Sequence, residues 1–265
     1  MIEILAHSFM QRALAAGLLV GIVASYYGVF VVQRGMGFLG HGLAHAAFGG
    51  VALGILLNAE PLWVAIPFTL AVAIGITWAR ERSRLGVDSV IGIFLAISMA
   101  LGVVFLSLKR SYAADAFGYL FGSILSVTTT DLLIALLLFG LALATLPMWG
   151  RWAYATLDRE AAMVDRLPVA RDDYVLSCLI AVTVVAAVKI VGVLLIAAFL
   201  VIPAAASRLL ARSFLAMTVL SVLGGGASVV FGLAGSYWLD IPSGAAIILV
   251  QGAVFLLLLG VVRRA

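Results

Sequence analysis

The chain carries only three histidines, and two of them, His41 and His45, stand four residues apart in the run Gly40-His41-Gly42-Leu43-Ala44-His45-Ala46-Ala47-Phe48-Gly49-Gly50. On a helix that spacing stacks both imidazoles on one face, about one turn apart. Neutral imidazole suits Zn, Cu, Fe or Ni better than Mg or Ca. An incomplete pair of ligands fits a transit site, which has to recruit an ion and then let it go. The run is apolar and glycine-rich, and an ionisable group at membrane depth is costly unless it works. A metal or proton path is therefore the first reading, and hydrogen bonding of the imidazoles to a neighbouring helix is the second. His7, near the start, reads as an interfacial residue.

The same residues exclude other chemistry. A zinc protease of the H-E-x-x-H type needs a glutamate general base after its first histidine, and that position is Gly42. Ser123 follows Gly122 without a base to activate it. The only lysines are Lys109 and Lys189, and neither sits in the glycine-rich setting that grips nucleotide phosphates. The chain thus reads as no enzyme, and any ATP it uses must be bound by another chain.

The elements that position the histidines are membrane helices. With 65% hydrophobic and 11% charged residues and a mean hydropathy of +1.24, this is a polytopic membrane protein, organised as one transmembrane domain over 1–265. The net charge of +4 is scattered in short arginine clusters between apolar runs, which marks cytoplasmic loops and not a nucleic-acid surface. The lone Cys178 gives no disulfide framework. Apolar runs at 12–33, 40–58, 61–79, 88–108, 131–148, 174–202, 214–235 and 243–262 are the expected spans. The first is long enough to be a retained span and lacks a basic region ahead of it. Residues 117–130 read as a short helix that does not cross, and 149–173 as the only sizeable polar stretch.

Eight crossings would place Arg34, Arg80, Arg82, Arg84, Arg151, Arg159, Arg166 and Arg171 outside, against the positive-inside tendency. If 174–202 makes two short passes turning near Lys189, those arginines join Arg208, Arg212, Arg263 and Arg264 inside, leaving Arg12, Lys109, Arg110 and Lys189 outside. Nine passes with the N-terminus outside is the expected topology. Its cost is two helices of about 14 residues, only about 21 Å each, which must be surrounded by protein. The small-residue pairs Gly17/Gly21, Gly50/Gly54 and Gly118/Gly122 offer close helix contacts, within the chain or at a dimer seam. The segment Pro203 to Arg212 reads as a short amphipathic stretch that breaks at Pro203, either a docking element or an anchored loop.

Five stretches, in order, carry a resemblance: Gly40 to Gly54; Tyr119 to Leu125; Leu157-Asp158-Arg159-Glu160; Lys189 to Leu195 running into Val201 to Leu210; and Asp240-Ile241-Pro242-Ser243-Gly244. Over nearly its whole length the chain resembles the permease subunits of bacterial zinc- and manganese-uptake ABC importers. The resemblance implies the all-helical architecture of cobalamin-type importers in the inner membrane and import by alternating access. It also implies a homodimeric or paired permease, in which a second permease copy stands beside this one, a cytoplasmic ATPase dimer and an extracytoplasmic metal-binding protein. Pro203, Ser207, Arg208, Leu209, Leu210 and Arg212 would form the coupling helix. Many members carry aspartate where this chain has His41. Imidazole in place of a carboxylate shifts preference toward zinc, with manganese or iron as the alternative cargo. Asp115 and Asp240 could lend a carboxylate, although Asp240 also suits a turn. A secondary metal transporter is the competing reading, and it would want more buried acids than these spans offer.

Overall fold

The structure is a computed structural model that describes residues 8–109 and 127–262. The expectations for His7, Asp115, Gly118, Gly122 and Ser123 lie outside the described residues. Within them the chain is all-helical, without strands. Its elements are α1 (Ser8–Gln33), α2 (Leu39–Leu56), α3 (Pro61–Arg82), α4 (Val87–Leu108), α5 (Thr129–Ala144), a 3₁₀ turn (Leu146–Met148), α6 (Trp149–Leu157), α7 (Arg159–Val164), α8 (Val169–Leu210), α9 (Phe214–Leu239) and α10 (Ser243–Val262). Eight of the helical segments are long and apolar enough to cross a membrane.

The longest, α8, is two helices. Gly192 interrupts it at φ 81°, ψ 164°, a conformation that residues with a Cβ rarely adopt. The contacts of its two limbs show that the chain reverses there. Asp173 pairs with Arg34, just beyond the end of α1, while the Leu200 carbonyl lies where a Cβ on Gly28 of α1 would collide with it. A continuous helix would separate Asp173 from Leu200 by about 40 Å, yet Gly28 and Arg34 are only about 9 Å apart along α1. The tip of the hairpin lies at the other end of the bundle, where Lys189 meets Asp131 at the start of α5 at 2.9 Å.

The limbs, 169–191 and 193–210, are longer than the two 14-residue passes expected from sequence. Hydropathy undercounts them because the first limb begins with Asp172 and Asp173, which are buried by ion pairs. The second limb is helical straight through Pro203, so the expected break at Pro203 is wrong, whereas the turn expected near Lys189 falls three residues on, at Gly192. Proline removes the donor that would serve the carbonyl four residues earlier, and the Phe199 carbonyl instead accepts from the Ser25 hydroxyl of α1 at 3.4 Å. The helix survives because a neighbour takes over the orphaned acceptor.

With the fold-back the described residues make nine helical passes, and every polar end can be assigned. Arg34, Arg80, Arg82, Arg84, Arg151, Arg159, Arg166, Arg171, Arg208 and Arg212 gather at one end; Arg12, Lys109 and Lys189 lie at the other. The α8 hairpin runs through the middle, packed against α1, α2, α3, α9 and α10. Burial grades outward from the hairpin and its inner neighbours: 72% of the apolar windows of α1 and α2 and 67% of that of α8 are buried, against 22% for α4 and for the segment that begins with α5 and 17% for α10, so these outer helices face lipid or another chain. Gly21, Gly28 and Gly225 let α1, α8 and α9 meet at backbone distance.

Two outcomes follow. Replacing Gly192 with alanine forces a Cβ into a positive-φ site and should lower detergent-state thermal stability by roughly 1–2 kcal/mol. Reporters fused to the two termini should report opposite faces of the membrane, the signature of an odd number of passes.

Candidate metal path and its charge network

Glycine decides which way the histidines of α2 point. A Cβ at Gly42 would meet Ile91 of α4, and one at Gly49 would meet the Ser98 carbonyl of α4; Gly50 and Gly54 lie against Ala65 and Pro61 of α3. Gly40 abuts Leu200, and Ala47 and Val51 cluster with Val185, both partners belonging to α8. At about 100° per residue, His41, His45, Phe48 and Ala52 share a sector about 60° wide. That sector lies between α4 and α8, opposite α3. Both histidines are half-buried there. Their ring centroids are 4.4 Å apart, inclined at 76°, and His45 Nδ1 is buried without a hydrogen-bond partner. The pair can approach one ion at the roughly 2 Å typical of zinc–imidazole bonds. Among the described residues no group of three His, Cys, Asp or Glu comes together, so the described residues supply two ligands at most.

The other nominated residues are placed as follows. Asp240 ends α9 in the left-handed conformation (φ 52°, ψ 44°), and the turn is closed by the Ser236 hydroxyl donating to the Ile241 carbonyl at 2.7 Å. It stands at the arginine-poor end, whereas Gly40 and Leu200 put His41 near the arginine-rich one, so the structure does not bring Asp240 to the pair. Gly50 and Gly54 pack internally on α3. Ser207 is buried and donates to the Ala204 carbonyl at 2.9 Å; Leu209 is half-buried, while Arg208, Leu210 and Arg212 are exposed at the last turn of α8 and just beyond it.

Sequence reasoning missed the most connected charged site among the described residues. Asp173, 1% exposed, receives Arg34 at 2.5 Å and Arg80 at 2.8 Å, and Arg159 as well. These residues tie the ends of α1 and α3 to α7 and α8. Arg34 Nε also donates to Thr156 Oγ1 at 2.9 Å, and Arg151 holds the adjacent Asp172 at 2.6 Å. Burial pulls the Arg34 guanidinium below its ordinary pKa, and the Asp173 charge opposes that pull. The signal was present in the sequence: two adjacent acids opening a long apolar helix need cations. Reading the arginines only as topology markers concealed it.

The comparison with known proteins bears on this whole frame. The model of the ABC 3 transport family matches residues 6–262. The chain belongs to that family. It is 32% identical over 246 residues to the high-affinity zinc uptake system membrane protein of Haemophilus influenzae, covering 92% of this chain and 94% of that one. It is 32% identical over 256 residues to a manganese transport system membrane protein of Halalkalibacterium halodurans, covering 96% and 88%. The solved structure of PsaBC from Streptococcus pneumoniae in complex with Fab superposes with a TM-score of 0.84 at 34% identity, covering 97% of this chain and 93% of that one.

In this ABC 3 permease the Asp173 junction makes a quantitative expectation. Asp173→Asn strands three guanidinium groups around a neutral side chain and should cost about 3 kcal/mol or more in detergent unfolding. Arg159→Gln removes the most exposed partner and leaves two, so it should cost about 1 kcal/mol or less in the same assay.

Proposed function

We propose that this chain is the permease subunit of an ATP-driven divalent-metal importer, with zinc as its favoured cargo and manganese or iron as the alternative. The observation that carries the proposal is the His41–His45 pair, side by side and half-buried on one face of α2. Membership of a family with relatives named for zinc and manganese transport supports it. Two imidazoles, joined by no carboxylate among the described residues, favour a borderline metal over a harder one. Loose ligation, with water or further groups completing the shell, suits release.

The arginine-rich end is the cytoplasmic one by the positive-inside rule, which puts the N-terminus outside. Arg208, Leu210 and Arg212 then face the cytoplasm at the end of the second limb of α8. There, with the half-buried Leu209, they form the docking surface for a partner ATPase dimer, over the buried Pro203 and Ser207 of the same helix. The second limb contacts both α1 and α2, through Ser25 and Gly40. Movement imposed at Arg208 therefore reaches the histidine helix through direct packing, a physical route for alternating access. A second permease copy would complete the transporter, and an extracytoplasmic metal-binding protein would deliver the ion.

Uptake of radioactive zinc, with manganese as competitor, tests the ion path in cells that also carry the ATPase. At equal expression His41→Ala and His45→Ala should each reduce zinc uptake about tenfold or more, since even supporting groups of a metal site are worth that much. His41→Asp should move the competition toward manganese. Unchanged uptake in both alanine variants would reduce the pair to packing residues. Charge reversal at Arg208 and Arg212 together should uncouple ATP hydrolysis from uptake while leaving the permease folded.

A further inference from the structure

The Asp173 junction has a feature that its structural role does not use. Between the ends of α1 and α3, α6, α7 and the start of α8 lies a cleft of about 600 Å³ lined by Arg34, Arg80, Glu81, Thr156 and Arg159. Three guanidinium groups face two carboxylates, Asp173 and Glu81, so the cleft keeps an excess positive charge. Each guanidinium has five N–H donors, and the acceptors run short. Arg80 Nη1 spends one on the Met36 sulfur at 3.0 Å, a weak acceptor. Arg159 reaches Glu81 only at 4.0 Å, while Tyr174 donates to the same carboxylate at 3.1 Å. Most telling is Arg34: its side chain is 9% exposed, its Nε and Nη1 are engaged by Thr156 and Asp173, and its Nη2 is buried with no partner. An unmatched charged donor in a closed site is costly.

We propose that this cleft is a binding site for a phosphate group, with Arg34 Nη2 as its fixed donor and the more exposed Arg159 as the clamp that closes over it. A tetrahedral oxyanion matches forked guanidinium donors in geometry and cancels the excess charge. The site lies where α1 and α3 leave the apolar layer, the depth of lipid headgroups, and basic pockets between membrane helices at such depth take anionic headgroups. The phosphate can therefore come from an anionic phospholipid or from free inorganic phosphate. In either case it would tie α7 to α1, α3 and α8 more firmly than Asp173 does alone.

The test uses the full chain purified in detergent. Native mass spectrometry measures retention of phosphatidylglycerol against phosphatidylcholine, and thermal unfolding is followed with inorganic phosphate at fixed ionic strength. Arg34→Lys keeps the charge but removes the forked donor; Arg159→Gln leaves Asp173 paired with Arg34 and Arg80. Preferential retention of phosphatidylglycerol that falls at least fivefold in both variants assigns the site to a lipid headgroup. Stabilisation of the wild type by inorganic phosphate, absent in the variants and without lipid preference, assigns it to the free ion. If neither probe binds, or both bind the variants as they bind the wild type, the proposal is overturned. Should Arg34→Lys fail to fold, the Arg159→Gln comparison decides alone.

Discussion

Hydrocarbon offers no hydrogen bonds to a backbone, so helices that reverse without a loop or are broken by proline within an apolar bundle must have their freed polar groups met by the protein around them. The α8 hairpin is where this chain meets that requirement. Its limbs reverse at Gly192 with no intervening loop, and they are enclosed by α1, α2, α3, α9 and α10. The other helices are arranged by what the hairpin needs. Alpha-helix α1 supplies the Ser25 hydroxyl for the carbonyl that Pro203 orphans, and α5 supplies Asp131 for the lysine at the tip.

Close packing around the hairpin is also what exposes the histidines. Helix α2 packs its glycines toward α3, α4 and α8. His41 and His45 stand away from those contacts, on a face whose next turn, Phe48 and Ala52, is buried again. The site is thus a by-product of how the small residues are distributed: the glycines fix the rotation of the helix, and the rotation fixes the direction of the imidazoles.

The spans and the histidine pair were legible in the sequence because both depend on local periodicity and length. The double pass of α8 was legible only indirectly, through the arginine count. Its turning point was legible to within three residues, near Lys189, but the glycine that makes it was not, since the chain has 27 glycines and only Gly35 and Gly192 among the described ones take positive φ. Pro203 misled for a related reason: its effect depends on whether a hydroxyl on another helix stands opposite Phe199, a long-range fact. The Asp173 junction gathers residues from 34, 80 and 159 around one acid, and no local pattern announces such a convergence.

The lysine at the hairpin tip has a bearing on biogenesis. Lys189 has to be carried to the far side of the membrane, and a lysine at mid-membrane costs roughly 2.5–3.5 kcal/mol on insertion scales. Synthesis runs from the N-terminus, so Asp131 is made before Lys189 and can already hold its place at the far end when the hairpin follows. The countercharge is waiting there, and the two limbs, joined by a single glycine, have to be delivered as a pair.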